Sequence, residues 1–237
     1  MRNKERRQKP GAIHATPNQP KVEPDRSQGY KDQRLVAKTR GQREFIRTIC
    51  ANDVTICTGP PGTGKTHIAC GLSAQAMRQG LVEKIILCRP TGSIEGDIGF
   101  LPGGIREKLG PYLVPLFDEL SCYMTYELIK HFMDVGRLEI VPLSAMRGRT
   151  FKDCYVVLDE AQNATYKDLK MFFTRFGDNS KVVASGDINQ SDLTEKESGA
   201  LSSVIDRVYD LDGVGICHLD YSDVVRHPLT SAFDQVL

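Results

Sequence analysis

The octapeptide Gly59-Pro60-Pro61-Gly62-Thr63-Gly64-Lys65-Thr66 constrains this chain more than any other feature. It meets the pattern G-x-x-x-x-G-K-[ST] at every fixed position. A loop of this kind works only between a strand and a helix. Gly59, Gly62 and Gly64 let backbone N–H groups turn inward around phosphate oxygens, and the following helix adds its N-terminal dipole. Both flanks are present. Asp53–Thr58 reads as a short buried strand, and Thr66–Gln79 as a helix that stops at Gly80. Residues Gly59 to Gly64, with Pro60, Pro61 and Thr63 between the glycines, are therefore expected to cradle a nucleoside triphosphate. Lys65 would contact its β- and γ-phosphates and Thr66 would ligate Mg²⁺.

Further apolar runs at Lys84–Cys88, Leu138–Val141, Cys154–Leu158, Lys181–Ser185 and Val214–Leu219 read as strands. Helical spacing appears at Gly41–Cys50, Gly104–Leu109, Leu113–Leu120, Tyr126–Val135 and Tyr166–Phe176. Strands alternating with helices predict an α/β fold: a doubly wound, mostly parallel sheet with a RecA-like P-loop core. The strand at 181–185 is expected between those at 54–58 and 154–158, as in P-loop enzymes that use a glutamate. With the glycine-loop strand directly beside 154–158, the core would instead be kinase-like.

The chain divides by charge. Residues 1–34 hold nine Lys/Arg, four Asp/Glu, four prolines and six apolar residues, whereas the remainder holds 22 basic and 26 acidic residues. So polar a segment cannot bury enough surface to offset its ordering entropy. Residues 1–34 are expected to be a flexible basic arm, either gripping phosphates or solubilising the chain, with 35–237 as the globular domain. No stretch has the length and apolarity of a membrane span or a secretory leader. The seven cysteines are scattered without a C-x-x-C pair, which predicts reduced thiols in a cytoplasmic protein and points to neither zinc nor disulfides.

Two strand ends add chemistry beside the glycine loop. Val156-Val157-Leu158 delivers Asp159 and Glu160 at its carboxyl end, where open α/β sheets bind ligands. Asp159 is expected to hold Mg²⁺, and Glu160 to polarise an attacking water. The strand before Gly186 delivers Asp187 and Gln190, placed to sense a γ-phosphate. The ordinary alternatives are a strand end capped by acids and a polar turn. Their coincidence with the glycine loop favours nucleotide hydrolysis.

Together these three strand ends resemble the first half of superfamily 1 helicases. The match narrows at Arg89-Pro90, Gly99-Phe100-Leu101-Pro102-Gly103, Pro111-Tyr112-Leu113 with Pro115-Leu116, Met146-Arg147-Gly148-Arg149-Thr150-Phe151, Leu158 to Asn163, and Asp223-Val224-Val225-Arg226-His227-Pro228. These segments are similar to those of the PhoH family, over residue 38 to the carboxyl end. The resemblance implies an ATPase core related to helicases, a homo-oligomer in the form of a hexameric ring, and RNA as its target. It also implies that Gln42, in a segment similar to the adenine-reading segment of helicases, selects ATP; a glutamine amide can pair with both edge atoms of adenine.

Superfamily 1 helicases take their transition-state arginines from a second motor domain. Here the arginine must come from the same domain or from a neighbour. Arg226 is the first candidate and the pair Arg147/Arg149 the second. His67 and His227 are given no role. Two functions remain open: an ATP-driven motor or remodeller on single-stranded nucleic acid, RNA before DNA, and a nucleotide-dependent switch controlling a protein partner. A small-molecule kinase fits less well, because adjacent Asp159 and Glu160 suit water activation.

Overall fold

The structure is a computed structural model that describes residues 29–90, 105–193, 198–226 and 230. The segment Gly99–Gly103 and the dipeptide His227-Pro228 lie outside the described residues, as does most of the basic arm. The strands are β1 Val54–Thr58, β2 Lys84–Arg89, β3 Leu138–Pro142, β4 Cys154–Leu158, β5 Lys181–Gly186 and β6 Val214–His218. The helices are α1 Arg40–Ala51, α2 Lys65–Arg78, α3 Ile105–Ser121, α4 Tyr126–Asp134, α5 Tyr166–Phe173 and α6 Ala200–Val208.

One six-stranded sheet runs β3-β2-β4-β5-β1-β6, and every neighbouring pair is parallel. The fold expected from the alternating pattern is therefore the observed one, with the described sheet wholly rather than mostly parallel. β5 separates β1 from β4, as anticipated for a core that uses a glutamate. All residues of β1, β4 and β5 are buried, which requires covering helices on both faces. Period-two alternation divides each strand between two cores. Ile85, Leu87, Tyr155 and Val157 face a layer with Phe45, Ile49, Ile68, Leu120 and Phe132. Ile86, Cys88, Val156 and Leu158 face the opposite layer with Leu169, Phe172, Leu201 and Val204.

Local signals account for most helix ends. Thr39 caps α1 by accepting from Gln42 N at 3.1 Å. Beyond α2, Gly80 adopts φ 68°, and Leu81 N–H returns to Ala76 O at 2.9 Å, closing the helix where the sequence placed its stop. Buried cysteines act as small hydrophobes, with burial pushing the Cys154 thiol up to about 11.

Three expectations change. The two short helices expected at 104–109 and 113–120 are one continuous helix, α3, running through Gly110 and Pro111. Leu116 and Leu120 are fully buried with Ile68 and Met77 of α2, and this packing outweighs the local breakers. Helix α6 has no counterpart in the sequence pattern; its short apolar set, Leu201 and Val204, becomes a face only against the sheet. The start of the globular domain also moves. Thr125 N–H donates to Gly29 O at 2.7 Å and Lys31 N–H to Tyr123 O at 2.9 Å, so residues 29–31 of the supposed arm dock on the α3–α4 connection.

Lys181 opens β5 but is only 4% exposed. Its ammonium donates to Ile49 O at 2.9 Å and Asn52 O at 2.6 Å, closing the carboxyl end of α1. Lys181→Met keeps the aliphatic stem and removes these donors. It should lower stability by about 1–3 kcal/mol in urea titration, the cost of stranding buried acceptors, with an unchanged denaturant slope.

Candidate nucleotide site

At the carboxyl edge of the sheet, β1 ends in the glycine loop and β5 ends beside it, joined by Gly59 N–H to Gly186 O at 3.1 Å. Gly62 and Gly64 take φ 80° and 83°, turns that other residues rarely adopt. Thr63 Oγ1 ties the loop internally to Pro60 O at 2.8 Å. The Lys65 ammonium donates to Gly59 O at 2.6 Å and Pro60 O at 2.9 Å. Burial pushes that ammonium down, while Cys57 and the carboxylates of Asp187, Glu160 and Asp159 act in the opposite sense. A phosphate in the loop would take over the lysine from its own carbonyls.

Asp159 is the hub. It is 2% exposed and accepts from Thr66 Oγ1 at 2.7 Å, Ser185 Oγ at 3.2 Å and Arg89 Nε at 2.9 Å. Its own N–H continues the β2–β4 ladder to Cys88 O at 2.9 Å, which sets Arg89 alongside it. Arg89 also reaches Glu160 Oε1 at 3.1 Å. The hydroxyl of Thr66 and the carboxylate of Asp159 form a hard oxygen pair that fits Mg²⁺. Glu160 sits at φ 54°, a left-handed conformation unusual outside glycine, and its Oε2 accepts from Gln162 Nε2 at 2.7 Å.

Gln162 links the acidic pair to the next strand end, because its Oε1 accepts from Asp187 N at 3.0 Å. A Cβ on Gly186 would lie 2.5 Å from that oxygen, so a larger residue there would have to displace the Gln162 amide. Asp187 is buried and shapes its own turn, accepting from Asn189 N at 3.0 Å. Gln190 is exposed at the rim, with its N–H on Asp187 O at 3.2 Å.

Two expected residues contact the glycine loop of their own chain. Gln42 is 5% exposed, donates to Thr63 O at 3.0 Å and accepts from Lys38 N at 2.8 Å. Each end of the amide thus makes one bond to backbone, and Gln42 braces the glycine loop. Arg226, the first candidate for a transition-state arginine, covers the loop of its own chain. Val225 N–H donates to Gly62 O at 2.9 Å, and a Cβ on Gly62 would clash with the Arg226 side chain.

Arg147 and Arg149 lie elsewhere. Arg147 approaches Asp168 at 3.9 Å with its side chain 63% exposed, and Arg149 pairs with Glu139 of β3 at 2.7 Å. Burial raises the Glu139 carboxyl, but its bonds from Lys84 and Arg149 outweigh this and hold it low. β3 is four strand positions from β1, or roughly 19 Å at the usual strand spacing.

Sequence reasoning missed the roles of Arg89, Ser185 and Gln162. For Arg89 a signal existed in principle: a basic residue ending a strand beside the one that ends in Asp159. Only the strand order reveals that adjacency.

The geometry agrees with what comparison finds. The family model for PhoH-like protein matches residues 34–237. A PhoH-like protein of Bacillus subtilis (strain 168) is 42% identical over 201 residues, covering 85% of this chain and 63% of the relative. One from Synechocystis sp. (strain ATCC 27184 / PCC 6803 / Kazusa) is 44% identical over 193 residues, covering 81% and 59%. The chain thus spans about three-fifths of the length of these curated relatives. Among solved structures, the large terminase from a thermophilic bacteriophage shares the fold, with TM-score 0.52, 11% identity, and coverage of 84% of this chain and 50% of that one. With a glycine loop, an Asp-Glu strand end and a matched segment reaching from residue 34 to the last residue, this chain belongs to the PhoH-like protein family.

Proposed function

We propose that the domain binds ATP with Mg²⁺ and hydrolyses it, driving an oligomeric motor or remodeller on single-stranded nucleic acid, RNA before DNA. The observation that carries the hydrolytic reading is the Thr66–Asp159–Arg89–Glu160 cluster set against the glycine loop. In it Lys65 and the loop N–H groups hold the phosphates, and Thr66 with Asp159 holds the metal. Mg²⁺ would supply charge neutralisation on the phosphate oxygens. Glu160, aimed by Arg89 and Gln162, holds the attacking water and accepts its proton. Gln190, at the rim, responds to the γ-phosphate, with Asp187 fixing its turn. Arg226 lies over the loop of its own chain and adds positive charge there.

Assembly completes the site in this reading. Helicases take the second wall of the site from another motor domain, and a neighbouring copy plays that part here. Arg147 and Arg149 are too far across the sheet to serve their own loop, so they reach a neighbour's nucleotide through a head-to-tail contact that closes into a ring. The described residues contain no helix long and apolar enough to cross a membrane, and the cysteines are free thiols. Both fit a cytoplasmic role. RNA is favoured by the family resemblance and the basic 147–149 loop.

Lys65→Ala should abolish tight ATP binding and turnover together. Glu160→Gln should retain binding within a few-fold yet lower turnover about 10²–10⁴-fold, the usual worth of a positioned base. Normal hydrolysis by Glu160→Gln would assign the base elsewhere.

Turnover per chain should rise with protein concentration through the assembly range. Mixing Lys65→Ala chains with Arg147→Ala/Arg149→Ala chains should restore part of it, since some interfaces then pair an intact loop with intact arginines. Absence of recovery in mixtures proven to exchange subunits would remove these arginines from catalysis. Single-stranded RNA should stimulate the assembled enzyme more than DNA does. Indifference to both would favour the nucleotide-dependent switch acting on a protein partner.

A further inference from the structure

His67 follows Thr66 in the first turn of α2, yet its ring faces away from the phosphate chemistry. Glu119 Oε2 lies 2.8 Å from Nδ1, and the Tyr123 hydroxyl lies 2.7 Å from Nε2. Tyr123 reaches this position by packing on Gly71 of α2, where a Cβ would come within 2.7 Å of the phenol. Cys122 sits between Glu119 and Tyr123 in sequence, at the end of α3. The imidazole nitrogen, the carboxylate oxygen and the Cys122 sulfur all lie within 4.8 Å of one another. All three residues are half-buried, so solvent ions can reach them. Two elements far apart in the chain thus supply a nitrogen, an oxygen and a sulfur to one small volume.

We propose that His67, Glu119 and Cys122 form a zinc site with a fourth position open to water. Imidazole nitrogen, carboxylate oxygen and thiolate sulfur are each donors that zinc accepts, and three protein ligands with a water complete a tetrahedral site. Tyr123 plays the orienting part common in such sites: Nε2–H donates to its hydroxyl, leaving the Nδ1 lone pair for the ion. With the metal bound, Nδ1 ligates as a neutral imidazole whose one proton is on Nε2, Glu119 ligates as a carboxylate, and the thiol releases its proton to solvent as Cys122 Sγ becomes a ligand. A thiolate and an imidazole select zinc over magnesium. The site therefore differs in kind from the hydroxyl–carboxylate pair of Thr66 and Asp159, although it adjoins the same turn of α2. Occupancy would fasten the end of α3 to the helix that carries Lys65 and Thr66.

The test is titration with Co²⁺ in excess Mg²⁺, on the reduced full-length chain. Wild type should develop a thiolate-to-cobalt charge-transfer band that saturates at about one ion per chain and is discharged by zinc. Cys122→Ser, half-exposed and outside the nucleotide site, should fold and bind ATP as wild type does but lose the band. Tyr123→Phe should keep the band and weaken cobalt binding by about 10–100-fold, as expected of a residue that orients a ligand. No band in wild type would overturn the assignment. An undiminished band in Cys122→Ser would place the metal on another thiol and overturn it equally.

Discussion

The carboxylate of Asp159 is the junction on which the site depends. Three structural elements meet on it: the first turn of α2 through Thr66, the end of β2 through Arg89, and β5 through Ser185. A charge at 2% exposure is tolerable because both oxygens accept hydrogen bonds, Oδ1 from Thr66 and Ser185 and Oδ2 from Arg89. Breaking one arm of a buried pair generally costs about 3–5 kcal/mol, because the remaining charge is left without compensation. The same contacts that stabilise the edge of the sheet therefore fix the distance between the glycine loop and the acidic strand end.

A second set of contacts holds the loop from the other side. Gln42 of α1 grips Thr63, Asp223 Oδ1 accepts from Gly41 N at 3.0 Å, and Val225 grips Gly62. The segment after β6 and the start of α1 thus close over the loop as one polar girdle. The consequence is mechanical. Movement of the loop backbone would be transmitted to α1 and to the 220–226 segment.

Legibility followed the range of the interactions concerned. The glycine loop, α2 and its stop at Gly80 were readable because their physics is local: glycine conformation, a Lys-Thr pair and a cap. The buried strands were readable because short apolar runs must be covered. Helix α3 was misread at Gly110-Pro111, since packing against α2 outweighs a local breaker. The docking of residues 29–31 was invisible for the same reason, as its partners lie at 123–125.

Residue order alone carries a parallel α/β fold, a glycine loop of the phosphate-binding pattern, and the carboxylates and amide that end neighbouring strands. These follow from periodicity and from residue types whose chemistry is hard to explain otherwise. Packing in three dimensions sets Arg89 against Asp159 and Glu160, brings Gln42 and Arg226 to the loop of their own chain, and makes His67 meet Glu119 and Cys122. Each of these is a meeting of side chains from separate elements. Strand order and helix packing create such meetings, and neither is carried by any local stretch of residues.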